Sequence, residues 1–528
     1  MSIGFARLSR FPAPLMALWL AAAAAPPAVA AAADGQALVR ANCSGCHLEH
    51  DGRFERISAI RKSPEGWVMT LFRMQNVHGL KLAEDAEAGI LRYLADTQGL
   101  APSESAAGRF ALERRPNVKD LDQGPEMMAL CGRCHTLARA SLQRRDADEW
   151  LKLAHMHVGQ FPSLEYQASS RDRPWWQIAT TRLPGELAAR YPFETPAWTA
   201  WRAAPRHEPV GSWVVAGHEP GGRDLFGTAE IVGDGSGGYR ATYHLSDGAG
   251  HEVTGESHAV VYTGYEWRGR GALGGRAARE IYALDESGNR LRGRWFDPAH
   301  SEEGGDFQAL RAAATPEVLA LVPRALKAGT SGTLTVVGTG LGDGSALRVG
   351  AGVSLRVTGH GDGYVTASVT VAADAAPGAR PLMSGTAATG GALAVYRQVD
   401  RIDVEPGYGI ARLGGGRLDA VSAQFEAIGQ TRLADGSFLS LGPLAAEWHA
   451  RPFDAEAKRS DDVRFAGRLE ANGRFLPAGA GPNKAREFSG DNVGNLAIVA
   501  RVHDGSGVVD GQGHLIVTVQ RWNNPPIY

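Results

Sequence analysis

Two pentapeptides carry the reactive side chains of this chain, Cys43-Ser44-Gly45-Cys46-His47 and Cys131-Gly132-Arg133-Cys134-His135. Cys-x-x-Cys-His is the spacing at which two thiols can bond covalently to one haem while the next residue reaches its iron. The thiols add across the two vinyl groups of the porphyrin, and the adjoining imidazole becomes the proximal ligand. Cys43, Cys46, Cys131 and Cys134 are therefore expected to form the thioether links, with His47 and His135 as proximal ligands. The chain has four cysteines, all inside these motifs, so two attached haems leave no thiol for a disulfide, a zinc site or a redox pair.

Each motif needs helices around it. Asp34–Asn42 reads as the helix leading into the first, with Ala37, Leu38 and Ala41 on one face. Ser63 followed by Pro64 marks a helix start, and that helix carries Trp67, Thr70, Leu71 and Met74 along one stripe. A third helix covers Ala83–Asp96. The second motif repeats this order, with Gly124–Leu130 before it and Asp146–His157 after it. Their first cysteines lie 88 positions apart. Setting Trp67 on Trp150 places Met74 on His157, an internal duplication in layout more than in sequence.

That alignment bears on the sixth ligand of each iron. A thioether favours ferrous iron and raises the potential, whereas a second imidazole leaves it lower. For the first haem the candidates are Met74, Met69, His78 and His50, with Met74 preferred and His78 next. For the second, His155, Met156 and His157 stand in a row, and successive helical residues differ by about 100° in direction, so one of them faces the iron. The alignment selects His157, leaving Met156 and His155 as alternatives. One Met/His haem and one bis-His haem would differ in potential and give electrons a direction. A peroxidase would need an open haem with a distal acid–base pair, and no such pair is visible.

The whole chain has 528 residues, a net charge of −2, 44% hydrophobic and 21% charged residues, which suits several globular domains and argues against a general nucleic-acid binder. Arg7 and Arg10, an apolar run over Leu15–Ala25 and the small residues Ala28-Val29-Ala30 form a secretion leader over residues 1–30, too short in its apolar part for a permanent membrane anchor. The expected compartment is the periplasm. The expected fold is multidomain. An all-α dihaem cytochrome c domain over 31–205, with haem units at about 34–100 and 115–205, precedes three all-β domains.

From Pro209 onward, alternating strands between glycine-rich turns predict a barrel or sandwich over 206–313, including one strand over His258–Trp267. His251 and His258 near its turns read as solvent-exposed. An immunoglobulin-like sandwich follows over 314–398, and a further β-sandwich over 399–528, where Asp461-Asp462 reads as a solvated corner. The aromatic-rich stretch Gln160–Arg202 reads as haem-edge packing and closure of the first domain. No P-loop, nucleophile elbow, dinucleotide fingerprint or HExxH is present, so no catalytic residue is expected on this chain.

Two tandem haem motifs followed by three β modules resemble the alpha (dihaem cytochrome) subunit of quinohemoprotein amine dehydrogenase. The residues carrying the resemblance are the motifs CSGCH and CGRCH, the segment YPFETPAWTAW, and RFAGRLEANGRFLPAGAGPN in the last domain. It implies a periplasmic heterotrimer in which a gamma subunit bears a cysteine tryptophylquinone that deaminates primary amines, beside a beta-propeller subunit. This chain would pass electrons through two haems to a blue copper protein or soluble cytochrome c. The family pairs one bis-His with one Met/His haem. The dihaem subunit of an alcohol or aldehyde dehydrogenase, or a stand-alone cytochrome with binding modules, are the alternatives.

Overall fold

The computed structural model describes residues 27–109, 124–132, 135–162, 164, 172–415, 418–505 and 507–519. Residues 1–26, with the charged and apolar parts of the expected leader, lie outside these, as do Arg133 and Cys134 of the second haem motif. Among the described residues no helix is long and apolar enough to cross a membrane.

Helices α1 (Pro27–Cys43), α2 (Pro64–His78) and α3 (Glu84–Thr97) build the first unit. Ser63 caps α2 by accepting from Gly66 N–H, and Gly79, with a φ of 75° that suits glycine, ends it. Val39 of α1, Trp67 and Leu71 of α2, and Ile90 and Leu94 of α3 bury into one core. After the short α4 (Pro102–Ser105) come α5 (Pro125–Cys131), α6 (Ala138–Ser141) and α7 (Ala147–Gln160), then α8 (Trp175–Thr181), α9 (Leu183–Arg190) and α10 (Pro196–Ala203). Asp146 caps α7 as Ser63 caps α2, and Trp150 enters a second core with Leu130, Trp175, Leu183 and Leu187.

The first domain is not purely helical. Besides a small hairpin of β1 (Glu49–His50) and β2 (Arg53–Phe54), strand β3 (Ile60–Lys62) pairs antiparallel with β4 (Gln143–Arg145). The register is Ile60↔Arg145, Arg61↔Arg144 and Lys62↔Gln143. Counting back from Trp67 and Trp150, Arg61 and Arg144 are equivalent positions, as are Lys62 and Arg145. Each strand therefore meets its own repeat, and the two haem units are joined about a local twofold through the Arg61–Arg144 pair. A period of three residues is too short to read as a strand beforehand.

Eight strands close the next domain into a barrel: β5 (Gly211–His218), β6 (Asp224–Gly233), β7 (Tyr239–Ser246), β8 (Glu252–Tyr262), β9 (Glu266–Leu273), β10 (Arg276–Leu284), β11 (Arg290–Phe296) and β12 (Gly304–Arg311), with β12 returning to β5. The single strand expected over His258–Trp267 is two strands. Thr263 and Gly264 both have positive φ, at 56° and 78°, and with Tyr265 they form the tight turn between the paired Tyr262 and Glu266. That turn is gripped by the haem domain: Thr263 N–H donates to Asp96 at 2.6 Å, and Trp201 Nε1 donates to the Thr263 carbonyl at 2.9 Å. Trp213, Tyr243, Trp267, Tyr282 and Phe307 fill the interior around a buried Glu280, leaving a cavity of about 10 Å³. An eight-stranded barrel has just room for its own side chains.

Glu317–Tyr396 forms two four-stranded sheets packed as a sandwich around Leu334, Val336, Val365, Val369 and Leu393. The last domain packs strands between Arg401 and Thr518 around Phe425, Phe475, Leu496 and Ile498. Asp462 is not a solvated corner there. It is buried, accepts from Asn495 N–H at 2.9 Å and pairs with Arg486, while exposed Asp461 turns the chain with a φ of 54°. His218, on the barrel, spans to this domain by bonding Asp224 through Nδ1 and Glu426 through Nε2, both at 2.8 Å.

Burial opposes charge on His218, but the bonds to Asp224 and Glu426 outweigh it and raise its pKa to about 9. A histidine pKa raised on folding stabilises the fold fully below about pH 6.5, and the contribution fades as pH rises through about 9. The junction of barrel and last domain should therefore lose on the order of 2–3 kcal/mol between those limits. Thermal melts of His218→Gln should lack this alkaline loss; parallel decline of variant and native protein would contradict it.

Candidate functional site

The first motif continues the end of α1 as one further turn, with Cys46 N–H and His47 N–H both donating to the Cys43 carbonyl, at 3.1 and 2.9 Å. This places Cys43, Cys46 and His47 together at the domain surface. The second begins where α5 ends at Cys131; its Cys134 lies outside the described residues. Burial raises the pKa of Cys43 and pushes Cys131 up to about 11.

Three imidazoles share one arrangement. His47 Nδ1 faces the Glu55 carbonyl at 3.1 Å, His135 Nδ1 the Thr136 carbonyl at 2.9 Å, and His157 Nδ1 the Leu153 carbonyl at 2.8 Å. A carbonyl oxygen accepts, so in each ring Nδ1 carries the proton and Nε2 keeps its lone pair. Such a bond behind a metal-binding histidine fixes its tautomer and its direction. Burial lowers the pKa of His47 and His157, favouring the neutral form a metal needs.

The structure brings His135 and His157 to a ring-centroid separation of 6.2 Å, with planes 35° apart. An imidazole nitrogen binds a metal at about 2.0–2.1 Å. Adding the nitrogen-to-centre distance on each side, two imidazoles on opposite faces of one metal put their centroids roughly 6 Å apart. The pair fits a haem iron. His155 is turned away, edge-on to the Trp176 ring at 5.0 Å, and Met156 is a half-buried residue on the intervening face. At the first motif, His50 is exposed and pairs with Glu55 at 3.4 Å. Met69 and Met74 are half-buried on α2, and His78 forms its exposed last residue, near enough to His47 for its charge to disfavour protonation there. Met74 and His78 are four residues apart and so share a helix face.

Comparisons with known proteins bear on what this arrangement serves. Four models of quinohemoprotein amine dehydrogenase match in order: alpha subunit haem binding over 33–198, domain II over 207–312, domain III over 315–397 and domain IV over 402–527. The chain belongs to this family of alpha subunits. No curated protein matches it. Among solved structures, a redesigned beta barrel bound to DFHBI is similar at 15% identity and a TM-score of 0.17, covering 19% of this chain and 93% of that one. A Bacteroides ovatus glucan-utilization protein in complex with a mixed-linkage heptasaccharide has 9% identity and a TM-score of 0.19, over 60% and 66% of the two chains.

In this alpha subunit, one carboxylate holds the two halves of the haem domain. Glu104 takes two bonds from Arg61, both at 2.8 Å, and Arg144 Nε lies 3.3 Å from its Oε1. Thr195 and Ala101 N–H donate to it as well, each at 2.8 Å. Burial opposes its charge, but the bonds from Arg61 outweigh burial and lower its pKa. The YPFETPAWTAW segment wraps this cluster: the Phe193 carbonyl accepts from Arg61, Trp198 stacks under Arg61 and Tyr191 under Arg144. The aromatic stretch thus closes the domain, as its density suggested, by clamping the arginine pair. Sequence reading overlooked these cations, although IRKSPEGW and QRRDADEW stand at equivalent places before the two tryptophans.

His300, Glu302 and Glu303 also gather, but they are occupied in joining domains: Glu302 accepts from Ser422 N–H at 3.1 Å, and Glu303 pairs with Arg474.

Removing one partner of a buried ion cluster leaves uncompensated charge and costs about 3–5 kcal/mol. Glu104→Gln should destabilise the haem domain by that amount in denaturant unfolding, and unchanged stability would show that the twofold pair does not depend on it.

Proposed function

We propose that this chain is the periplasmic dihaem electron-transfer subunit of an amine dehydrogenase. In this reading it receives electrons from a tryptophylquinone on a partner subunit and hands them to a soluble acceptor. The approach of the His135 and His157 rings, with centroids 6.2 Å apart, is the observation that supports it, and the family match supplies the context.

Cys43 and Cys46 would hold one haem and Cys131 and Cys134 the other, each through two thioether bonds. The haem irons supply one-electron transfer between ferrous and ferric states. His47 and His135 would serve as the iron ligands through Nε2, their Nδ1 protons being held by the Glu55 and Thr136 carbonyls. His157 completes the second site as the other imidazole, its own Nδ1 proton held by Leu153. Met74 completes the first, with His78 as the alternative on the same face of α2. A thioether at one site and an imidazole at the other set the two potentials apart. Oxidation of a primary amine releases two electrons, and two one-electron centres can pass them singly. The quinone, its catalytic base and the propeller-shaped second partner belong to other chains in this reading.

The natively purified chain should bring with it a small subunit whose mass includes a tryptophan-derived quinone; isolation of the dihaem chain alone would reject the amine dehydrogenase assignment. Separately, His157→Ala should convert one haem to a high-spin spectrum and leave the other unaltered, and Met74→Ala should do the converse. If Met74→Ala changes nothing while His78→Ala alters the first haem, the ligand is His78.

A further inference from the structure

His47 takes its direction from a backbone carbonyl that its own repeat does not hold alone. After the first motif the chain folds back as a hairpin, in which Glu49 faces Phe54 and Glu55 N–H donates to the Leu48 carbonyl at 2.9 Å. The hairpin brings the Glu55 carbonyl to within 3.1 Å of His47 Nδ1. The same carbonyl accepts from Ile57 N–H at 2.8 Å, across the single residue Arg56, whose φ is 65°. A bond from residue i to i+2 closed over a positive φ is the γ-turn that residues with a side chain rarely adopt. Holding a residue other than glycine there costs on the order of 1–3 kcal/mol, and it persists where the surroundings fix it.

The flanks of the turn are tied into the first unit. Ser58 N–H donates to the Phe54 carbonyl at 2.9 Å, and Gln98 Nε2 to the Ile57 carbonyl at 2.7 Å. Arg56 itself reaches across to the other unit. Its Nε lies 3.6 Å from Glu149 Oε2 in the first turn of α7, and among the described residues no other carboxylate pairs with it. Glu149 is 2% exposed and is fixed in turn by Lys152 at 2.9 Å and Arg145 at 3.5 Å. The position equivalent to Glu149 in the first repeat is Gly66, which has no side chain to make the reciprocal contact. The tether runs one way. At the second site the acceptors are local, Thr136 beside His135 and Leu153 four residues before His157 on the same helix.

We propose that Glu149 is a positioning residue for His47: through Arg56 it holds the strained turn whose carbonyl orients the imidazole of the first haem site. This deepens the dihaem reading above and rests on it. A carbonyl that accepts from Nδ1–H makes an imidazole a stronger donor to iron, which favours the ferric state and lowers the potential. Glu149 lies on the helix that carries His157, so a side chain of the second unit tunes the first haem.

The test is spectroelectrochemistry of the full chain purified with its native partners. Covalent haem is counted on every sample, and the first haem is recognised as the one unaltered in His157→Ala. In Glu149→Gln and in Arg56→Ala the turn should relax. The ratio of oxidised to reduced first haem at a fixed potential should then fall about tenfold, which is 59 mV for one electron, while the second haem keeps its midpoint. Glycine adopts a positive φ without a tether. Arg56→Gly should therefore stay near the native midpoint, and adding it to Glu149→Gln should return the first haem towards that value. A general structural loss at Glu149 would not be repaired by a glycine in the other unit. Two attached haems with the first midpoint unmoved in Glu149→Gln would overturn the proposal, as would an equal shift of both or a double variant no nearer to native. If Glu149→Gln does not fold, equal first midpoints in Arg56→Ala and Arg56→Gly would overturn it. A native chain with no covalent haem would instead overturn the functional reading and this inference with it.

Discussion

Glu104 is the carboxylate on which the haem domain turns. It lies where two chain segments, alike in position but separated by more than eighty residues, meet strand to strand, and it pairs with the arginine that each contributes. Without it two guanidiniums would face each other in a dry interior, an arrangement that costs more than the pairing of three residues returns. With it, the two helical units become one body, joined by the backbone hydrogen bonds of the β3–β4 pair. Rigid placement would suit the electron transfer proposed for this chain, in which metal ligands would keep their positions while charge passes.

The three β domains extend this body by polar junctions more than by shared cores. The β8–β9 turn is held by Asp96 and Trp201, His218 joins the barrel to Glu426, and Lys327 of the sandwich pairs with Asp504 of the last domain. The barrel is packed solid with aromatic rings and holds no room for a substrate.

Much of the haem region was legible in the sequence because it depends on local rules. The cysteine spacing and the caps Ser63 and Asp146 act within a few residues, and aligning Trp67 with Trp150 singles out His157, whose ring centroid lies 6.2 Å from that of His135. The ribbon escaped because three-residue strands have no usable period and their pairing joins positions far apart. Lys62 and Arg145 were overlooked for the same reason: burial of a cation depends on what packs over it, which here is the other repeat. The His258–Trp267 stretch looked like one strand because its alternation runs through Thr263 and Gly264, and the turn is dictated by contacts with another domain. Asp462 misled in the same way, its partner Arg486 lying 24 positions further on.

The account stands on two haem sites held rigidly in one domain with unequal iron ligation. Stepwise optical reduction of the purified native complex tests this most directly. It should resolve two one-electron steps at separate midpoints, each with its own low-spin spectrum, the lower belonging to the bis-histidine haem. A single wave in which both haems reduce together, with one spectrum throughout, would contradict it.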